Sequence, residues 1–247
     1  MGVESVFPQY FHCSNIKIGV LKMVRKTKFI LLFFCLCVLM FTQGIGSGLS
    51  SKLEKAQNLD EKVRSFLDSR RYSWRDMNVS ESDGKVLYDI IVKNNYTKAL
   101  EIGTSTGHSG IWIAWALSKT GGKLITVEIN EGRYREALDN FEQAGLSDYI
   151  DARLADAHEL VPELKGPFDF VFCDADKGWY KNYLIAVLPK LEVGGCFTAH
   201  NVSARRGRRQ YGVGGFVDYL ESLSYMETTY DSSSWSGISI SYKRAKK

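Results

Sequence analysis

Two periodicities organise the chain after residue 50. Between Ser50 and Arg75, Leu53, Ala56, Leu59, Val63, Phe66 and Leu67 recur at steps of three and four, the spacing of one helix face. Beyond it, short apolar runs alternate with segments of helical spacing. "KALEIG" (98–103) reads as a short buried strand, and "HSGIWIAWALSK" (108–119) as a helix closed by Gly121 and Gly122. "KLITVEIN" (123–130) is the next strand, "EGRYREALDNFEQAG" (131–145) an amphipathic helix stopped by Gly145, and "YIDARLAD" (149–156) a third strand. "FDFVFCDAD" (168–176), "WYKNYLIAVLPKL" (179–191), "GGCFTAHN" (194–201), "VGGFVDYLESL" (213–223) and "GISISYKR" (237–244) continue as strand, helix, strand, helix, strand. This alternation predicts parallel βαβ units in a doubly wound, Rossmann-like α/β sheet.

The first 48 residues follow another rule. "FILLFFCLCVLMF" (29–41) is an uninterrupted apolar run, preceded by Lys17, Lys22, Arg25, Lys26 and Lys28 and followed by the small-residue stretch "TQGIGSG". That order suits a secretory signal peptide; stretched to Leu49, the segment also suits a signal anchor. The expected organisation is a signal peptide or anchor over 1–48, a helical lid segment over 49–76 and one domain over 77–247. The body is then exported, or attached to a membrane through the leader. It stays cytoplasmic if the true start lies elsewhere, for which Met23 is a candidate.

Net charge is +4, and the leader accounts for it, so the body is balanced. A balanced body excludes a nucleic-acid-binding surface, which needs a basic face. Cys13, Cys35 and Cys37 fall in the leader. Cys173 and Cys196 fall in buried strands, where they read as inert core residues, with a disulfide left open if the body is exported.

In open α/β sheets, ligands sit at the carboxyl ends of the strands. The first strand ends in "EIGTSTGHSG", in which Gly103 and Gly107 permit a tight turn before a helix N-terminus. Its spacing is not the G-x-G-x-x-G of dinucleotide binders. Glu128 ends the second strand, where a carboxylate can accept from both hydroxyls of a ribose. Turn and carboxylate together point to a nucleoside-type cofactor. Asp156 and Ala157, after the third strand, are placed to flank an adenine ring, and His158 reads as a helix start. The fourth strand ends in "CDADKGWY", where Asp174, Asp176 and Lys177 crowd one edge, a costly cluster unless a cation or substrate uses it. His200 and Asn201 close the fifth.

"ALEIGTSTGHSG", "ITVEIN", "FDFVFCDADKGWYKNY" and "GGCFTAHN" together resemble the motifs of the cation-dependent class I S-adenosylmethionine O-methyltransferases, the caffeoyl-CoA and catechol O-methyltransferase family. The resemblance runs over residues 77–242. It implies a seven-stranded sheet with the last strand antiparallel and S-adenosylmethionine across the first three strand ends. By that resemblance Val79, Glu101, Gly103 and Ser109 contact the cofactor, Glu128 its ribose and Ala157 its adenine. Asp176 and Tyr183 match further cofactor-side positions, Lys177 the catalytic lysine, and Asp174 both a catalytic group and a metal ligand. It implies a small catechol-like aromatic substrate and suggests a homodimer.

A divalent cation gripping adjacent hydroxyls would lower a phenol's pKa from about 10 and aim one oxygen at the methyl group. The family's remaining metal ligands are an Asp-Asn pair, and here that pair is His200-Asn201. An imidazole disfavours Mg²⁺, the family's cation, relative to Zn²⁺, while the oxygen ligands also suit Mn²⁺. Three readings of His200 stand: a metal ligand beside Asp174 and Asn201; a base or hydrogen-bond donor without metal; or a packed strand end. Trp74 and Trp179 are candidates for stacking an aromatic substrate, and Arg205, Arg206, Arg208 and Arg209 for a solvated loop. A nicotinamide-dependent oxidoreductase and a decayed nucleoside-binding scaffold are the competing functions.

Overall fold

The computed structural model describes residues 53–74, 77–203 and 212–245. The leader and the arginine-rich loop lie outside the described residues. The chain divides into two compact units, 1–56 and 57–247. Of the first, residues 53–56 are described and are helical.

The second unit opens with helix α1 over residues 57–70. There follow α2 (Glu81–Asn94), β1 (Lys98–Ile102), α3 (His108–Thr120), β2 (Lys123–Glu128), α4 (Glu131–Ala144) and β3 (Ile150–Leu154). Next come α5 (Ala157–Glu163), β4 (Phe168–Cys173), α6 (Tyr180–Val187), β5 (Leu191–His200), α7 (Gly214–Glu221), β6 (Met226–Asp231) and β7 (Ile238–Lys243). The strands form one seven-stranded sheet in the order β3-β2-β1-β4-β5-β7-β6. β7 runs antiparallel to both its neighbours, β5 and β6, and every other pair is parallel. The predicted fold class is the observed one.

Burial explains the element types. β4 is buried at every position, because helices cover both faces of the central sheet, so its sequence is a continuous apolar run. α1 packs Val63 and Phe66 with Trp112 and Trp115 of α3 and Phe141 of α4, which accounts for its three-and-four spacing. Two elements that the apolar pattern did not mark are α2 and β6. α2 starts at a capping box formed by Ser80 and Asp83, a polar signal rather than an apolar one. β6, "METTYD", is an edge strand that buries only Met226, so its polar residues hide it. Cys173 and Cys196 are both buried and free. They cannot be bonded across β4 and β5, because Cys173 pairs with Ala199 and Cys196 with Phe170.

Register positions the site. Ile102 lies level with Val127 on β2 and Cys173 on β4, and Cys173 with Ala199 on β5. Gly103, Glu128, Asp174 and His200 therefore emerge on one rim, although up to 97 residues of sequence separate them. β1 lies between β2 and β4, where the winding direction reverses and a crevice opens.

Candidate active site

A cavity of about 720 Å³ occupies that crevice. Val79, Gly103, Ser109, Glu128, Ala157, Asp174, Asp176, Lys177, Tyr183, His200 and Asn201 all line it. Of the cofactor, catalytic and metal residues expected from the sequence, only Glu101 does not line it, and neither do the aromatic candidates Trp74 and Trp179. Among the described residues a larger groove, about 1010 Å³, lies at the amino ends of β4 and β5 and contains none of them.

The turn after β1 is built for close approach. Gly103 has φ +100°, and a Cβ there would stand 2.7 Å from the Asp174 carbonyl oxygen and 2.8 Å from its carbon. Gly103→Ala should cost about 3 kcal/mol, the sum of a left-handed penalty and a backbone clash. It should also push the β1 and β4 rims apart. A thermal melt alongside cofactor titration checks both effects, and unchanged binding would show that the close approach is dispensable. Ser105 in the same turn is also left-handed, at φ +48°. Its N–H donates to Glu128 Oε2 at 2.8 Å, while the Asn130 N–H donates to Oε1 at 2.9 Å. Two backbone donors thus orient the carboxylate and leave its remaining lone pairs for a ligand.

Glu101 is set beneath the turn, fully buried and off the cavity wall. Its Oε2 accepts from the Thr126 hydroxyl at 2.6 Å, and its Oε1 has no hydrogen-bond partner. Burial pushes its carboxyl up to about 8, and the charges of Asp174 and Glu128 act in the same direction. Glu101, expected to contact the cofactor, lies directly under the turn and off the cavity wall.

Asp156 caps α5 by accepting from the His158 N–H at 2.8 Å. His158 itself lines the cavity, its ring stacked on Trp179 at 3.9 Å between centroids and set 5.8 Å from Tyr183. Trp179 thus backs the wall through His158. Trp74 is elsewhere: it stacks on His108 at 4.5 Å and meets Phe66 edge-on, a packing role between α1 and α3. His108 accepts from Trp112 at 3.2 Å, and its Nδ1 lies 2.9 Å from the Val79 carbonyl, which fixes the segment entering α2. Burial lowers its pKa to about 4, so the ring is neutral.

The far corner holds the charges. Lys177 donates to Asp174 Oδ1, and also to the Tyr180 hydroxyl at 2.9 Å. His200 Nδ1 lies 3.0 Å from Asp174 Oδ2, and its Nε2 lies 3.2 Å from Asp83 Oδ2. Burial disfavours the charged ring, but hydrogen bonds and charge from Asp174 and Asp83 outweigh it, raising His200 to about 9. Burial also works against the Asp83 carboxylate; hydrogen bonds from His200 and Ser80 help hold it below its ordinary value.

Asp83 is the residue that sequence reasoning missed. It lies 117 residues from His200 and is fully buried at the third position of α2. The "SESD" capping box was its only signal, and that signal speaks of a helix start, not of a charge partner.

This corner does not fit the divalent cation that the resemblance implies. Both Asp174 oxygens and both His200 nitrogens already face other side chains, Lys177 and His200 on the carboxylate and Asp174 and Asp83 on the ring. Among the described residues no group of three or more His, Cys, Asp or Glu side chains is arranged to hold a metal ion.

Residues 50–205 match the sequence profile of a family described as O-methyltransferase. A catechol O-methyltransferase from Niastella koreensis is 36% identical over 130 residues, 51% of this chain and 58% of that protein. Caffeoyl-CoA O-methyltransferase 1 from Eucalyptus globulus is 34% identical over 130 residues, 51% of this chain and 52% of that protein. The chain thus spans little more than half the length of these curated relatives. Among solved structures, an O-methyltransferase from Bacillus cereus in complex with SAH aligns with TM-score 0.64 at 26% identity, over 74% of this chain and 91% of that one. The O-methyltransferase TomG from Streptomyces achromogenes, in complex with SAM, gives TM-score 0.64 at 25% identity, over 75% and 90%.

Proposed function

The chain belongs to the O-methyltransferase family, and from that premise we propose that it transfers a methyl group from S-adenosylmethionine to a hydroxyl of a small, catechol-like aromatic molecule. The observation that carries the reading is the single cavity at the switch point, which gathers the glycine turn, the braced Glu128 and the Asp174–Lys177 pair. The relatives named for catechol and caffeoyl-CoA support the substrate class.

The bound cofactor supplies an electrophilic sulfonium methyl: its S–C bond breaks as the O–C bond forms, leaving a neutral thioether and a methyl ether. The chain supplies position and charge. Glu128 accepts from the ribose hydroxyls with its oxygens held by Ser105 and Asn130. Asp156 and Ala157 border the adenine, and His158, backed by Trp179, offers it a flat face. Lys177, anchored by its hydrogen bond to Asp174, stabilises the acceptor oxygen as its proton leaves to solvent at the cavity mouth.

Titration calorimetry of the full chain tests the reading. S-adenosylmethionine and S-adenosylhomocysteine should both bind, and Glu128→Ala should weaken binding by about 100-fold, the worth of two charge-assisted hydrogen bonds. Mass spectrometry of a catechol panel should then detect the methyl ether. A wild-type chain that binds neither cofactor form overturns the proposal.

A further inference from the structure

Four ionisable groups from separate parts of the fold meet at the corner beyond Lys177. Asp83 comes from the first turn of α2, Asp174 from the end of β4, Lys177 from the loop after it and His200 from the end of β5. His200 sits between the two carboxylates, one at each ring nitrogen, at 3.0 and 3.2 Å. A neutral imidazole carries one N–H and can donate to only one of them; donating to both requires the imidazolium. Its side chain is 7% exposed and that of Asp83 is fully buried, so water does not take the place of the ring on Asp83. Phe172 covers the ring at 6.2 Å between centroids, and the Tyr180 hydroxyl donates to the His200 carbonyl at 3.2 Å. With Lys177 on the other Asp174 oxygen, both oxygens of that carboxylate have partners.

We propose that the His200 ring, seated between Asp83 and Asp174, stands where a divalent ion would otherwise hold Asp174, so that this chain works without a metal. The role rests on the methyltransferase reading, and within it His200 is a positioning residue. It separates Asp83 from Asp174 and turns Asp174 so that its other oxygen aims Lys177 at the acceptor hydroxyl. A divalent ion entering the corner would have to displace the ring from at least one carboxylate and share the space with Lys177. Those requirements exclude it more firmly than the loss of one carboxylate ligand would.

Mn²⁺ titration followed by electron paramagnetic resonance reads the site directly, whether or not the substrate is known. The wild-type full chain should bind no Mn²⁺ at this corner. His200→Asp restores a hard oxygen beside Asp83, Asp174 and Asn201, and should bind one ion per chain at least about 100-fold more tightly than the wild type. A stoichiometric wild-type Mn²⁺ site that Asp174→Asn abolishes would overturn the proposal. That result does not touch cofactor binding, so failure of this inference and failure of the methyltransferase reading are separable.

Discussion

Replacing His200 with alanine should lower stability by about 3–5 kcal/mol, the cost of stripping a buried ion network of its central partner. Asp83 and Asp174 would then face each other across a buried gap, with Lys177 left to neutralise only one of them. For a unit of this size that corresponds to a fall of roughly 10 °C in the thermal midpoint, measurable by circular dichroism. A fall within about 2 °C would show that the ring does not hold the corner together. The pH dependence has a definite sign. The folded-state pKa of His200 stands at about 9 against an ordinary value of 6.5, so the folded chain holds this proton more tightly. Its stabilisation is therefore complete below about pH 6.5 and is lost as pH rises through about 9, on the order of 3 kcal/mol over that window. His200→Ala should flatten that part of the stability profile. Asp83 acts at the acid end with the opposite sense. Its lowered pKa contributes stability above the ordinary carboxylate range that disappears as pH falls through the folded value.

Lys177→Met should lower kcat by about 100- to 1000-fold, the usual worth of one preorganised charge at a developing oxyanion. Methionine keeps much of the side-chain volume and removes the ammonium that Asp174 and Tyr180 hold. Asp174 would retain His200, so the corner should stay folded. Cofactor affinity should change by less than about threefold, because the expected ribose and adenine contacts lie at the ends of β2 and β3. Steady-state kinetics on a catechol that the wild type methylates, with calorimetry in parallel, separates the two quantities. A kcat near the wild-type value would remove Lys177 from the chemistry.

The parts of the site that could be read in the sequence are those written locally. The glycine turn announces itself because only glycine adopts φ +100° against the Asp174 backbone without strain. Glu128, Asp174 and His200 were recognisable because each ends an apolar run, and parallel register carries strand ends to a common rim. Glu101, two positions before the turn, reads as adjacent to a ligand, and only the structure shows its side chain buried below the rim beside Thr126. Trp74 misled because an aromatic near a site is as readily consumed by packing, here against His108 and Phe66.

Sequence alone determined the α/β class, the rim on which chemistry occurs and nearly all of the residues on it, because strand and helix periodicities and turn glycines are short-range properties of the chain. What His200 does there was decided only by tertiary structure. From the sequence it could be a metal ligand, a base or a packed ring. Folding brings Asp83 from the cap of α2 to its second nitrogen. The charge state of a buried imidazole follows from the groups that face it, and no local pattern records a partner 117 residues away.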